Sequence, residues 1–212
     1  MSERTGPDPD DVPVPEPRPG LAALIEAGEA ETGTDPVVAR FALGRALGGP
    51  LDGVLAFPAD GYWLLITYGL TELDDKRSPH VTISGLGYEL TMRPPRPSQA
   101  GVPPQWAVNV LADLARRVRA GMDLGPNDWV NTPGPIGGTP ENAPLTGVLI
   151  AYDTRLARRR TPNGQVDFLT VVGITGAEAA EADAAGDSLA VLRRLVGTDP
   201  LLRTDPRRVA SS

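Results

Sequence analysis

The side chains that could support catalysis in this sequence are few. The chain contains no cysteine, and His80 is its only histidine. A Ser-His-Asp triad would need His80, which lies beside Pro79 in a charged segment, and no Gly-x-Ser-x-Gly nucleophile elbow is present. The lack of cysteine also excludes disulfides, thiolate nucleophiles and thiolate metal sites. We interpret His80 as an ordinary loop residue.

Carboxylates are the remaining candidates for acid–base chemistry or metal binding. Glu72 and Glu89 are close to the ends of predicted strands, where hydrolases place catalytic acids, but nothing in their spacing brings them together. The acids at 74–75 and 123–128 lack the pattern of a calcium-binding loop. These residues favour a protein without metal, cofactor or catalytic site. A small-molecule-binding or hydrolytic domain that uses Glu72, Glu89 or Asp128 is the minor alternative.

Two other motifs have simple structural interpretations. Residues 134–139, Gly-Pro-Ile-Gly-Gly-Thr, lack the Gly-Lys-Ser/Thr ending of a phosphate-binding loop. Four arginines at 155 and 158–160 form a local basic cluster. We interpret this cluster as a solvated turn between strands, and contact with an acidic partner or a nucleic acid is the alternative.

Composition limits the possible classes of protein. The chain has 212 residues, 41% of them hydrophobic, and a formal net charge of -7. It can bury a sizeable core, and its acidic balance disfavours nucleic acid and favours a basic partner. No apolar run approaches the roughly 20 residues of a membrane span, and the N-terminus lacks the apolar core of a signal peptide. We therefore expect a cytoplasmic protein with no membrane partner.

Local patterns predict the elements that must position these residues. Residues 1–20 are rich in Pro and Asp and predict a disordered leader, and residues 209–212 a frayed tail. Apolar spacing of three and four predicts helices at 21–30, 105–119 and 188–196, and Asp35-Pro36 predicts the start of another that reaches about Leu47. Short apolar, β-branched runs predict strands at 54–57, 62–68, 146–152 and 166–172, with a possible short strand near 129–130.

Three further signals complete the pattern. Alternation over 87–93 predicts a half-buried strand with Glu89, Thr91 and Arg93 on a polar face. Residues 162–164, Pro-Asn-Gly, predict a tight turn. Thr175 and Glu178 predict a capping box that begins a helix. The order of elements does not follow regular βαβα alternation, so we predict an α+β domain with a mainly antiparallel sheet.

Four segments, taken together, resemble the Suppressor of fused domain family. They are residues 66–73, with an aromatic-Gly-Leu-Thr-Glu-Leu motif; 84–93, with Gly-Tyr-Glu-Leu-Thr-Met-Arg; 103–118, with a Pro-x-Trp helix; and 161–175. A weaker fifth, Thr-Asp-Pro-Arg-Arg, lies at 204–208. Order and spacing agree from about Val54 to Arg208, so the resemblance predicts one such domain over 21–208.

The resemblance implies a fold and a type of function. It implies an α+β fold with a central mixed, largely antiparallel sheet flanked by helices, and no known catalysis. The animal member is a two-domain negative regulator that clamps a peptide of Gli-type transcription factors by strand addition. Single-domain bacterial members look like immunity proteins that bind and neutralise a cognate toxin.

The resemblance also implies where a partner would bind. In the animal protein, contacts come from the end of the Pro-x-Trp helix and the loop after it, which correspond here to Arg117 and residues 124–128. Asp128 aligns with an acidic residue of that surface, whereas Arg117 replaces an aromatic residue and so suggests a different partner. The predicted partner-binding residues are Arg117, Leu124, Asn127, Asp128, Trp129, Glu72 and Glu89.

Three functions follow from these observations. The first is an immunity protein without enzymatic activity that neutralises a bacterial toxin, for which a basic toxin domain would suit the acidic chain. The second is a regulatory scaffold that sequesters a transcription factor or another protein. The third is the small-molecule-binding or hydrolytic domain introduced above. No prediction is made of the oligomeric state.

Overall fold

The computed structural model describes residues 18–40, 48–138 and 144–208. Within these residues the helices are α1 (Pro19–Thr32), α2 (Gln105–Arg119), α3 (Gly176–Ala185) and α4 (Leu189–Thr198). The strands are β1 (Val37–Arg40), β2 (Gly53–Pro58), β3 (Trp63–Tyr68), β4 (Ile83–Met92), β5 (Trp129–Asn131), β6 (Leu145–Tyr152), β7 (Arg159–Thr161) and β8 (Gly164–Thr175).

The strands form one mixed sheet. Their order is β1-β2-β3-β4-β8-β6-β5, and β7 pairs with β8 outside this path. β4 and β8 run parallel, whereas the other pairs are antiparallel. The predicted α+β fold with a mixed, largely antiparallel sheet is therefore confirmed. β5 lies at one edge of the sheet.

Helices cover both faces of the sheet because the central strands are apolar on both sides. In β8, Leu169 and Val171 face α2, whereas Phe168 and Val172 face the opposite layer. α1 packs over β2 and β3 on that opposite face, and α3 and α4 pack over β6 and β8. Among the described residues the core thus has three layers, with α2 on one side and α1, α3 and α4 on the other.

The helix predicted to start at Asp35-Pro36 is wrong over residues 37–40. Residues 37–40 form the strand β1, in which Val37 pairs with Ala56 and Val38 with Leu55. Pairing with β2 prevails over the Asp35-Pro36 signal because β-branched valines suit a strand and Pro also fits extended backbone. The rest of that prediction, residues 41–47, lies outside the described residues, as do the predicted leader up to residue 17 and the tail 209–212.

The turn between β7 and β8 fixes a distant loop as well as the hairpin. Thr161 pairs with Gly164, so Pro162 and Asn163 form the turn, and only Gly164 takes a positive φ, of 114°. A Cβ at Gly164 would lie 2.7 Å from the backbone of Ile83, which explains why glycine is needed there. The buried Asn163 amide donates to the carbonyls of Glu72 and Asp74, at 3.0 and 3.1 Å.

Gly28 in α1 allows that helix to approach the sheet closely. A Cβ at this position would lie 2.2 to 2.6 Å from ring atoms of the buried Phe57. We expect Gly28→Ala to lower the free energy of unfolding by about 1–3 kcal/mol, because the core would be overpacked. The matched control is Gly197→Ala in α4, where no atom lies within 4 Å of the new Cβ. That change should stabilise by up to about 1 kcal/mol through helix propensity. Urea denaturation measures both, and equal effects of the two substitutions would contradict the close approach.

Candidate functional site

Glu72 organises the loop between β3 and β4. Its Oε1 accepts the backbone N–H groups of Arg77 and Ser78, and Oε2 accepts from Lys76 Nζ at 3.1 Å and from Gly85 N at 3.3 Å. Burial raises the pKa of Glu72, but the hydrogen bonds from the loop outweigh it and lower the pKa to about 2. The carboxylate is therefore ionised, and its hydrogen bonds stabilise the loop to which it belongs.

Glu89 is not at the surface, contrary to its prediction as a partner-binding residue. Its side chain is 0% exposed and accepts hydrogen bonds from Thr67 Oγ1 at 2.6 Å, Gly69 N at 3.1 Å, and the backbone and hydroxyl of Thr71 at 2.8 and 2.7 Å. Burial raises the pKa of Glu89, and the bonds from Thr67 and Thr71 partly offset this. A partner could reach this carboxylate only if the fold opened.

The polar face predicted for β4 is also buried. Thr91 is 0% and Arg93 1% exposed, and both bind Asp153 at the end of β6. Arg93 Nη1 and Nη2 lie 2.8 and 2.9 Å from the two Asp153 carboxylate oxygens, and Thr91 Oγ1 lies 2.6 Å from Oδ2. Sequence reasoning missed this network because Asp153 is 60 residues from Arg93. The polar side chains of β4, and of Arg93 directly after it, therefore stabilise the core and form no open site.

The predicted partner residues 117 and 124–129 lie together. We call residues 123–131 with Arg117 the loop surface. Arg117 Nη1 donates to the carbonyl of Asn131 at 2.9 Å, and its Nε lies 2.8 Å from Asp113 Oδ2, so α2 holds the edge strand β5. Leu124 differs from the prediction, since it is 5% exposed and packs in the core beneath α2. Its role is to fix the loop.

Backbone contacts anchor the loop while two predicted side chains face solvent. Asn127 has a φ of 73°, donates its N–H to the carbonyl of Ile150 at 2.7 Å, and accepts from Ser188 Oγ at 2.5 Å. The Asp128 carbonyl accepts from Ile150 N at 2.8 Å, and its Oδ2 accepts from Gly125 N at 2.7 Å. Both residues are exposed. Trp129 is half-buried and packs on the layer of α3 and α4.

The edge strand β5 presents backbone groups away from the sheet. Val130 pairs with Val148, and Thr132 N donates to Thr146 O at 3.1 Å, so even-numbered residues bond to β6. The N–H and C=O groups of Trp129 and Asn131 point the other way, because these groups alternate along an antiparallel strand. In the part of the chain that the structure describes, only the Asn131 carbonyl has a partner among these outward groups, which is Arg117.

Acidic side chains lie beside the start of the edge strand. Asp123 and Asp128 lie in the loop, and Asp183 and Asp187, at the turn between α3 and α4, line a shallow cavity with Asn127 and Asp128. All four are exposed, and none forms an ion pair within residues 18–40, 48–138 and 144–208. No sequence pattern pointed to Asp183 and Asp187, because tertiary packing of α3 and α4 brings them to the loop. The loop surface and the adjacent end of α3 thus carry four exposed carboxylates without an ion pair among the described residues.

Two grooves adjoin the loop surface. One, of about 470 Å³, lies between α2 and residues 131–137 and is lined by Trp106, Val110 and Ile136. The other, of about 570 Å³, lies on the sheet face beyond α2. Neither Glu72 nor Glu89 lines them. The described residues contain no group of three or more potential metal ligands of the His, Cys, Asp and Glu types. They also contain no helix that is long and apolar enough to cross a membrane.

Sequence comparison places these features in a known context. The profile of the family described as Suppressor of fused protein (SUFU) matches residues 49–209. The Suppressor of fused homolog of Mus musculus is 32% identical over 156 residues, which cover 69% of this chain and 32% of the mouse protein. The chain therefore spans about a third of the length of that relative.

Solved structures are similar over nearly the whole chain. A chain in the Sufu-Fu complex crystal structure superposes with a TM-score of 0.80 at 27% identity, covering 92% of this chain and 93% of that one. A putative SUFU homolog from Neisseria gonorrhoeae shares the fold, with a TM-score of 0.61, 18% identity, and coverage of 90% and 93%. Strands β2 to β8, the α2 helix and the sequence motifs all lie within residues 49–209, which the family profile matches. The chain belongs to the Suppressor of fused family.

Proposed function

We propose that this chain is a protein-binding domain that acts without catalysis and binds its partner at the loop surface. The observation that carries the proposal is the edge strand β5, which has outward-facing backbone groups and four exposed carboxylates in the adjoining loop and the neighbouring end of α3. Exposed edge strands are templates for an added strand. The buried positions of Glu89 and Arg93 favour binding over catalysis, since Glu89 already accepts hydrogen bonds from its own fold and Arg93 is paired with Asp153.

The partner in the leading proposal is a bacterial toxin with a basic surface, which this chain neutralises as a cytoplasmic immunity protein. A net charge of -7 and the carboxylates around β5 would accelerate encounter with such a partner.

A regulatory scaffold is the second candidate. It is favoured by the similarity to the chain in the Sufu-Fu complex, which is a complex of two proteins by its name. The two candidates use the same loop surface and differ in the partner. An immunity protein protects the cell from a toxic neighbour, whereas a scaffold changes the activity of a regulator.

Affinity capture from cells that co-express the neighbouring genes tests the function. We expect one neighbouring product to co-purify with this chain, and we expect that product to stop growth when it is expressed without the chain. Capture of a non-toxic regulator would support the scaffold and contradict immunity. If no neighbouring product binds, and none is toxic alone, the immunity proposal is wrong.

Asn131 offers a sharp test of strand addition. Asn131→Pro removes an N–H that points away from β6, so β5 can keep its pairing, because Pro is tolerated on edge strands. We expect partner affinity to fall about tenfold, from one lost hydrogen bond and a clash with the added strand. Asn131→Ala is the matched control because it keeps the N–H, and its affinity should stay near that of the wild type. Calorimetric titration with the captured partner measures both, and equal affinities would contradict strand addition.

A further inference from the structure

The second groove described above, which we call the sheet groove, lies where α2 leaves the sheet face uncovered. It is lined by Ile83, Leu86, Tyr88, Tyr152 and Leu169 from β4, β6 and β8, and by Pro126 from the loop. Three of these side chains are unusually open for apolar groups, with exposures of 42% for Ile83, 44% for Leu86 and 58% for Tyr152. A groove of about 570 Å³ can hold two or three side chains of a partner. It is continuous with the loop surface through Pro126.

The charges around the sheet groove are unbalanced. Burial first, and then the carboxylates of Asp123, Glu89 and Asp128, raise the pKa of Tyr88 to about 12, so these three carboxylates act on the Tyr88 hydroxyl group. Arg158 and Asp167 both line the groove and pair with each other through two bonds of 2.6 and 2.7 Å. Lys76, which donates to the Ile83 carbonyl, pairs with Glu72 at 3.1 Å. The groove thus presents the Tyr88 and Tyr152 rings, and Asp123 and Asp128 in the adjoining loop have no cation of their own among the described residues.

We propose that the sheet groove binds a partner segment in which an arginine or lysine stands next to an aliphatic side chain. The aliphatic group would cover Ile83 and Leu86. The cation would lie over the Tyr88 and Tyr152 rings and be attracted by Asp123 and Asp128, since a cation is stabilised above an aromatic face. This inference rests on the proposed protein-binding function and adds a second contact region that specifies the chemistry of the partner.

An NMR titration tests the sheet groove without the natural partner. The probe is the peptide acetyl-Gly-Leu-Arg-Leu-Arg-Gly-amide, and its matched control replaces both arginines by uncharged citrulline. We expect saturable shifts of the Leu86, Tyr88 and Tyr152 amides with the arginine peptide and affinity at least about fivefold lower with citrulline. Tyr152→Ser and Asp123→Asn should each weaken binding of the arginine peptide by a similar factor, whereas Tyr152→Phe, which keeps the ring, should stay close to the wild type.

Three results would contradict the proposal that the sheet groove binds a cationic segment. They are equal binding of both peptides, shifts confined to other surfaces, and the absence of saturable shifts. Partner capture separates this failure from failure of the proposed function. If a captured partner binds Tyr152→Ser and Asp123→Asn as tightly as the wild type, the groove proposal is wrong and the function stands. If the arginine peptide binds as expected and no cellular protein is captured, the proposed function is wrong and the groove stands.

Discussion

Replacing Asp153 by alanine is expected to lower the free energy of unfolding by about 3–5 kcal/mol, because it leaves Arg93 charged and unpaired in the core. Both members of this pair are almost completely buried, with side-chain exposures of 2% for Arg93 and 0% for Asp153. Asp153 Oδ1 also accepts the backbone N–H groups of Arg155 and Leu156, at 2.9 and 3.1 Å. The substitution therefore removes the acceptor of four donor residues, which are Thr91, Arg93, Arg155 and Leu156. Water cannot easily replace this carboxylate because the site is buried.

Urea denaturation of three variants measures this effect. Asp153→Asn keeps an acceptor oxygen and should lose less stability than Asp153→Ala. Asp205→Ala removes an exposed pair with Arg207, at 3.3 Å, and should cost no more than about 1 kcal/mol. If Asp153→Ala and Asp205→Ala lose the same stability, the buried pair does not have the importance assigned to it.

The same pair predicts a contribution to acid unfolding. Burial raises the pKa of Asp153, but the hydrogen bonds and charge of Arg93 outweigh it, so the pKa lies below its ordinary value. A carboxyl group with a lowered folded pKa stabilises the protein above its unfolded pKa of about 3.9 and loses that contribution as the pH falls through the folded pKa. The stability difference between wild type and Asp153→Asn should therefore be largest near neutral pH and shrink in acid.

Replacing Glu89 by leucine is expected to lower the free energy of unfolding by about 2–5 kcal/mol, since two buried backbone N–H groups lose their acceptor. These groups belong to Gly69 and Thr71, in the segment that leaves β3. Glu89→Gln is the matched control, because its amide oxygen can still accept from both while Thr67 Oγ1 can accept from its NH₂ group. It should keep most of the stability that Glu89→Leu loses.

The pH dependence of Glu89→Gln has the opposite sign to that of Asp153→Asn. Burial raises the pKa of Glu89, so the folded state favours the protonated carboxyl group more than the unfolded state does. The stability that comes from this protonation is full below the unfolded pKa and is lost as the pH rises through the folded pKa. The stability of Glu89→Gln relative to wild type should therefore increase with pH. A relative stability that falls over this range would show that hydrogen bonding outweighs burial at this carboxylate.

Local sequence signals predicted the elements that local physics controls. The capping box of Thr175 and Glu178 is present with both of its hydrogen bonds, and α2 ends at Arg119, as predicted. The tight turn at 162–164 is confirmed, although only Gly164 takes a positive φ. Each of these signals involves residues close in sequence, so its physics does not depend on the rest of the fold.

Long-range pairing explains what could not be predicted. Val37 and Val38 join a strand because β2 lies beside them. The alternation of Glu89 and Arg93 indicated a solvent-facing side of β4, but their acceptors and donors come from residues about 20 and 60 positions away. Likewise, the carboxylates of Asp183 and Asp187 reach the loop surface only through the packing of α3 and α4. A single sequence contains no pattern from which these contacts could be deduced.

Site-specific photo-crosslinking tests most directly the proposal that the loop surface binds a protein. Benzoylphenylalanine would replace Asn131 or Asp128, and the matched control would replace Asp60, which is exposed in the turn between β2 and β3 at the far side of the sheet. In cells that co-express the neighbouring genes, we expect the Asn131 and Asp128 variants to capture the same protein and the Asp60 variant to capture none. Capture of that protein from Asp60 alone, or from none of the three, would contradict the proposal.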